Sequence, residues 1–403
     1  MRPRAVRESS IARMSDSQVQ TPSGAPGLTL GAVDVLPAGG LEERLAEGRP
    51  LRVKLGIDPT AADIHLGHVV VLEKLRQFQA AGHQAVVIIG DYTARVGDPS
   101  GRSSLRPELS PEQIDANATT FQEQAFKVLD PELTEVRFNS EWLDMPSAEL
   151  FALARRFTVA RLLERDDFTN RMAAAEPISL LELLYPVLQG YDSVAVDADI
   201  ELGGTDQKFN LLFGRDVQTS FGRRPQLILT MPILPGTDGV KKMSKSLGNQ
   251  VGVAEPATEI FGKLMSVPDA ALGQYWELLL GEPLDPSRKP MAAKEELARR
   301  ICDRFAGPGG GDEGQAHFDR VHRDRKIPED IADVALSPDD SVHLPALLRE
   351  AFSISGSEAR RMLQQGAVRL DGERLPAEPV DVPRTDLEGR VLQLGKRRFA
   401  RLR

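Results

Sequence analysis

The sequence predicts an α/β protein: a Rossmann-like parallel-sheet domain, then a helical domain, then a small α+β tail. Three observations carry this. Between residues 51 and 229 short apolar runs alternate with helix-period segments, the pattern of strand-helix crossovers in a sheet covered on both faces. Polar, glycine-rich loops follow several of those runs, where open α/β sheets gather ligands at strand carboxyl ends. Residues 342–403 hold 12 Lys and Arg against 8 Asp and Glu. That +4 balance leaves −13 on the remainder of a chain whose net charge is −9.

A length of 403 residues allows two or three domains and a large core. Hydrophobic content of 41% and charged content of 27% describe an ordinary globular chain. One cysteine, Cys302, excludes a disulfide framework and fits a reducing compartment. No apolar run reaches membrane-spanning length. The acidic net charge argues against wholesale coating of nucleic acid. A basic tail on an acidic body instead suggests one polyanion-binding module, the bland alternative being a tail that merely packs on the body. Residues 1–28 are rich in Ser, Pro, Arg and Gln, lack the apolar stretch of a secretory signal and are expected to form a disordered leader.

Residues 51–57 read as the first buried strand, broken by Pro59-Thr60. Asp63 is expected to cap a helix carrying Leu66, Val69, Val70, Leu75 and Phe78. Gln84–Ile89 is a second buried strand, leading into the polar loop of residues 90–102. A helix is expected over 111–129 with Ser110 as cap, a strand over 135–138, and helices over 147–157 and 178–188. Residues 200–202 form a strand feeding Gly203-Gly204-Thr205-Asp206-Gln207 and a helix through Leu212, with another strand at 227–229. Residues 29–252 thus make the first domain. Residues 253–336 read as mainly helical, interrupted by a surface loop at Gly307-Pro308-Gly309-Gly310-Gly311. After a linker at 337–340 the tail, 342–403, offers helices at 343–352 and 356–364. Short strands at 367–370 and 391–394 and the turn Asp371-Gly372 complete it.

Two constellations carry chemistry. In His65-Leu66-Gly67-His68 the imidazoles lie three apart on the first turn of a helix. Gly67 between them lets a ligand approach the backbone, and the helix N-terminus favours an anion such as a phosphate. Zinc is the rival reading; the single cysteine and six histidines weigh against it, and no dedicated metal site is expected. In Lys241-Lys242-Met243-Ser244-Lys245-Ser246, preceded by Gly236 and Gly239, lysines and serines on a loop can follow moving phosphates. Read alone it is equally a solvated basic loop.

Together these motifs resemble the two signatures of class I aminoacyl-tRNA synthetases, in the right order. Tyr185-Pro186-Val187-Leu188-Gln189-Gly190-Tyr191-Asp192, Gly97-Asp98-Pro99-Ser100-Gly101-Arg102 and Glu201-Leu202-Gly203-Gly204-Thr205-Asp206-Gln207 narrow the resemblance to the bacterial tyrosyl-tRNA synthetases. The tail from Ser355 through Glu373 is similar to their S4-type RNA-binding module. The likeness runs over roughly residues 41–403.

That resemblance implies ATP as substrate with Mg2+ accompanying it, a tyrosyl-adenylate intermediate, release of pyrophosphate and transfer of L-tyrosine to tRNA(Tyr). It further implies a cytoplasmic homodimer with no membrane or DNA partner. His65, His68, Lys242 and Lys245 are expected to stabilise the reacting phosphates. Gly56, Asp58, Gly67, Gly204, Asp206, Ser244 and Ser246 line the nucleotide. Lys54, Asp98, Tyr185, Gln189, Asp192 and Gln207 bind tyrosine: Tyr185, Gln189 and Asp98 its ammonium group, Asp192 its phenol, Gln207 a position near its carboxylate. Arg360, Arg361, Arg369, Lys396 and Arg397 face tRNA.

One departure stands out. Many bacterial members have Tyr-Cys-Gly-Phe-Asp-Pro-Thr, whereas this chain has Lys54-Leu55-Gly56-Ile57-Asp58-Pro59-Thr60, similar to a second subfamily. Lys54 is expected to donate to the phenol oxygen or to pair with Asp192. Rival readings are a tryptophanyl enzyme of related fold, a non-catalytic RNA-binding paralogue, and a small nucleotidyltransferase, which needs no RNA-binding tail.

Overall fold

The structure is a computed structural model that describes residues 24–59, 63–99, 110–323, 331–395 and 398–403. The expected leader up to residue 23, Thr60 and residues 100–109 lie outside them. Two compact units divide the chain, one of residues 1–254 and 266–293, the other of 255–265 and 294–403.

In the first unit the strands are β1 (Asp34–Leu36), β2 (Arg52–Ile57), β3 (Gln84–Ile89), β4 (Thr134–Phe138), β5 (Ile200–Gly204) and β6 (Leu227–Met231). The early helices are α1 (Ala25–Leu28), α2 (Gly40–Leu45), α3 (Leu66–Ala80), α4 (Thr93–Val96) and α5 (Pro111–Ala125). A run of short helices follows β4: α6 (Ser140–Leu143), α7 (Ser147–Ala154), α8 (Val159–Leu162) and α9 (Asp166–Ala173). The long α10 (Leu180–Ala195) and α11 (Lys208–Ser220) flank β5 in sequence.

The sheet order is β1-β6-β5-β2-β3-β4, parallel except for β1. β3 is Gln-Ala-Val-Val-Ile-Ile, and every residue after Gln84 is buried, as a strand covered on both faces requires. The chain moves one way from β2 through β3 to β4, then crosses to the other side of β2 for β5 and β6. The crevice at the carboxyl ends of β2 and β5 is therefore the topological switch point, the usual ligand position in such sheets.

Helices α12 (Ala257–Ser266), α13 (Leu272–Leu280), α14 (Pro290–Phe305) and α15 (Gly310–Phe318) follow. In the tail, β7 (Ala332–Val334), β8 (Ser341–His343), α16 (Leu344–Phe352), α17 (Gly356–Gln364), β9 (Val368–Leu370), β10 (Glu373–Arg374), β11 (Asp381–Pro383), β12 (Val391–Leu394) and β13 (Arg398–Leu402) close around their own core. Leu348, Ala359, Val368, Leu387, Leu392 and Leu402 are among its members. Its main sheet has the order β10-β9-β12-β13-β7. Because β7 pairs with β13, the tail as a folding unit starts at about Ala332. Asp371 (φ 49°) and Gly372 (φ 88°) are both left-handed, as a two-residue hairpin turn demands.

Several expectations are corrected. Asp63 does not cap α3; His65 occupies that place, with φ −118° and ψ 169°. The cause is residues 251–253. Leu66 N donates to Val251 O at 2.9 Å and Val253 N to Ile64 O at 2.9 Å, which keeps His65 extended and starts the helix at Leu66. Helices α10 and α11 run further than their local signals because they pack closely. A Cβ on Gly190 would lie 3.2 Å from Gly214 Cα and collide with Val217. The glycine tract is only half a loop: Gly310 and Gly311 begin α15 and are buried. A Cβ there would press on Cys302 O and Arg299 O at 2.9 and 2.8 Å.

Candidate active site

The imidazoles of His65 and His68 stack with ring centroids 3.9 Å apart. His65 N donates to His68 Nδ1 at 3.3 Å. An imidazole that accepts at Nδ1 carries its proton on Nε2, so His68 presents an Nε2–H donor. Burial, and then the nearby Lys242 charge, pull His65 down to about 4. Burial, then His65 and Lys242, hold His68 well below its ordinary value. Both rings are therefore uncharged at neutral pH. His65 Nδ1 is buried with no partner. A Cβ on Gly67 would sit 3.0 Å from His65 Cε1 and Nδ1, so only glycine leaves that ring in place.

The basic loop is a hairpin held by Asn249. Its Oδ1 accepts from Ser244 N at 2.8 Å and its Nδ2 donates to Asp238 Oδ2 at 2.7 Å. Asp238 also caps Val240 N and Lys241 N, and Met243 is buried beneath. Tyr275 on α13 donates to Pro235 O at 2.7 Å. From this base the two lysines reach different walls of the crevice. Lys242 pairs with Asp206 after β5, and Lys245 Nζ lies 2.9 Å from Asp63 Oδ2 before α3. Both lysines are more than half exposed. Such pairs are worth at most about 1 kcal/mol, so a polyphosphate can take the lysines over cheaply. Ser244 and Ser246 hydroxyls lie 2.9 Å apart on the same loop.

Gly56, near the end of β2, has open space where a Cβ would point, and a Cβ on Gly204 would crowd Asp206. These glycines keep the crevice floor bare. Asp58 accepts from Thr93 Oγ1 at 2.7 Å and from Tyr185 OH at 2.8 Å. Gly90 makes room for that carboxylate, since a Cβ there would collide with it.

The spacing of Tyr185, Gln189 and Asp192 puts them on one face of α10. Ser179 and Glu182 start that helix with a reciprocal capping box. Asp192 is 3% exposed, accepts from Trp142 Nε1 at 2.8 Å and meets Asn139 Nδ2 at 3.5 Å. Burial pushes its carboxyl up to about 7. Gln189 Oε1 is buried without a donor, while its Nε2 donates to Glu201 Oε1 at 3.3 Å. Gln207 Nε2 donates to Asp98 Oδ2 at 2.8 Å, with Arg165 3.7 Å from the other oxygen.

Lys54 does not pair with Asp192. Its ammonium lies 2.9 Å from Glu201 Oε1, because β2 and β5 place the two residues side by side in register. Both are fully buried, and removing one partner of such a pair costs about 3–5 kcal/mol. Glu201, Asn139, Trp142 and Asp63 also belong to the site, although the sequence did not single them out for it. Glu201 had a legible signal: it is the one charge in the run of residues 200–204, and Lys54 is a charge of opposite sign at a buried position of β2. Asn139 and Trp142 gave none, since their role depends on how α6 folds over α10.

In the tail, Arg360 and Arg361 on α17 and Arg369 on β9 are exposed. Lys396 and Arg397 lie outside the described residues.

A family model described as class I tRNA synthetases (W and Y) matches residues 46–304. The chain is 50% identical over 394 residues to the tyrosine–tRNA ligase of Moorella thermoacetica, covering 93% of this chain and 94% of that one. It is 48% identical over 390 residues to the tyrosine–tRNA ligase of Geobacter sulfurreducens, covering 92% and 96%. Two solved structures share the fold. One is a C-terminally truncated mitochondrial tyrosyl-tRNA synthetase of Aspergillus nidulans, with TM-score 0.61, 21% identity and coverage of 73% of this chain and 92% of that one. The other is the Archaeoglobus fulgidus tyrosyl-tRNA synthetase complexed with L-tyrosine, with TM-score 0.58, 22% identity and coverage of 71% and 96%.

Proposed function

This chain belongs to the class I tRNA synthetases of the tryptophan and tyrosine group, and from that premise we propose the following chemistry for its crevice. The protein attaches L-tyrosine to tRNA at the expense of ATP. In the first step the tyrosine carboxylate attacks the α-phosphorus of ATP. A new P–O bond forms to the carboxylate, the bond to the bridging oxygen breaks, and pyrophosphate leaves. In the second step a ribose hydroxyl at the end of tRNA attacks the activated carbonyl carbon and AMP departs. Neither step needs a covalent enzyme intermediate, so the residues act by positioning and by stabilising charge.

His65 and His68 donate to the phosphates as neutral imidazoles, and Lys242 and Lys245 exchange Asp206 and Asp63 for the departing pyrophosphate. Mg2+ enters with ATP as part of the nucleotide substrate. Asp58, Gly56, Gly67, Gly204, Asp206, Ser244 and Ser246 line the nucleotide. Asp98 and Gln207 hold each other beside the amino acid's polar end.

One observation carries the choice of tyrosine. The buried face of α10 offers an unpartnered amide acceptor at Gln189 and a carboxylate at Asp192, suited to an ammonium group at one end and a phenol at the other. Tyr185 stands behind Asp58 in the same pocket.

The tail acts as an S4-like RNA-binding module, supported by its separate core and its exposed arginines. A homodimer is supported by Phe151, Val159, Met172, Leu180 and Leu181, large apolar side chains exposed along the consecutive helices α7 to α10. A cytoplasmic location is supported by the bacterial origin of the similar ligases. The test is charging of total bacterial tRNA with labelled tyrosine or tryptophan. Label on tRNA from tyrosine alone is expected; label from tryptophan overturns the assignment of the α10 pocket.

A further inference from the structure

Lys54 and Glu201 are 0% and 1% exposed on adjacent strands. Lys54 Nζ reaches Glu201 Oε1 at 2.9 Å, Ser193 Oγ at 2.8 Å and Gln189 O at 3.2 Å. Two of its protons go to Ser193 Oγ and Gln189 O, and the ammonium is ion-paired with Glu201. Glu201 is equally engaged. Its Oε1 also receives Gln189 Nε2 at 3.3 Å, and its Oε2 receives Ser193 Oγ at 3.2 Å and Gln226 Nε2. Gly214 leaves the space for this cluster, since a Cβ there would lie 2.8 Å from Gln226 Nε2. Lys54 is fully buried and held by partners inside the protein, on strand β2 beside the α10 face.

We propose that the buried Lys54–Glu201 pair tunes substrate recognition through charge: Lys54 favours the anionic Asp192 that accepts the substrate hydroxyl, and Glu201, paired with the lysine, opposes it. This rests on the reading of the α10 face as the tyrosine site. The charged groups around Asp192 support it. Burial pushes Asp192 up, Lys54 from β2 pulls it down, and Glu201 from β5 pushes it up more weakly. Tyr185, on α10 itself, donates to Asp58 at the end of β2. On the α6 side Arg137 lies 5.2 Å over the Trp142 ring and is paired with Glu141. Asp91, after β3, accepts the amides of Tyr92 and Ser140. Of the other packed helices, Arg215 on α11 donates to Gln226 O and Arg161 on α8 is paired with Asp216, while Arg95 on α4 and Glu149 on α7 are exposed. Lys54 and Glu201 are thus the two charges on opposite sides of the balance.

The two charges predict opposite effects. Tyrosine affinity, measured calorimetrically from pH 5.5 to 8.5 on the full chain, is expected to fall as pH drops through about 7, where Asp192 gains its proton. Glu201→Gln removes the upward push and should move that midpoint down by about half a pH unit, roughly threefold tighter tyrosine binding below it. The double variant Lys54→Met/Glu201→Gln removes both charges without stranding a buried ion, and should move the midpoint up by a similar amount. Circular dichroism at each pH confirms that both variants are folded. Opposite displacements support the proposal. Midpoints that stay put, or that move the same way in both variants, overturn it and leave the pair a structural brace. Absence of tyrosine binding by the unaltered protein at every pH would instead remove the underlying tyrosine reading.

Discussion

A neutral imidazole can donate a proton without bringing charge, and that decides what His65 and His68 do. Their surroundings hold both below the range in which histidine titrates near neutrality. The rate of adenylate formation should therefore show no inflection from them between pH 6 and 8. The positive charge on the leaving phosphates has to come from Lys242 and Lys245. His68→Ala should lower the rate of adenylate formation by about a hundredfold, as loss of one oriented donor does, while tyrosine KM stays within about twofold. Stopped-flow fluorescence with tyrosine varied at saturating ATP separates the two. A raised tyrosine KM with an unchanged rate would move His68 out of the phosphate site. Gly67→Ala should produce the same phenotype indirectly, because the added methyl pushes on the His65 ring.

Among the elements, the hairpin carrying Lys242 and Lys245 depends on one side chain. Asn249 binds the backbone of Ser244 and the Asp238 carboxylate. Asn249→Ala should free the lysines from their base and slow adenylate formation at least about tenfold, with tyrosine KM unchanged. A matching rise in tyrosine KM would show that the loop shapes the amino-acid pocket as well. The motif itself was plain in the sequence, since Lys242-Met243-Ser244-Lys245-Ser246 is a dense local signal. Its anchor was not, because nothing local says that Asn249 folds back over residues 238–244. The same limit misplaced the start of α3: Asp63 looked like a cap, but strand-like pairing with residues 251–253 overrode the local preference. Lys54 shows the converse. A lysine inside an apolar strand demanded a buried partner, and only the β2–β5 register identified it as Glu201 rather than Asp192.

For the whole molecule, the alternation of strands and helices was enough to give the parallel sheet. The long separation between Lys54 and Glu201 left the switch point, and hence the meeting of the signature segments, to the fold. The separate core of the tail predicts modular behaviour. Deleting residues 331–403, which removes β7 together with its partner β13, should leave adenylate formation within about twofold and cut tRNA charging at least about tenfold. Equal loss of both steps would show that the tail supports the crevice. The central claim, that the crevice between β2 and β5 activates tyrosine with ATP, is tested most directly by amino-acid-dependent ATP–pyrophosphate exchange with tyrosine, phenylalanine and tryptophan in separate reactions. Exchange with tyrosine alone is the expected result. Exchange driven by another of the three, or none from the folded protein, would contradict it.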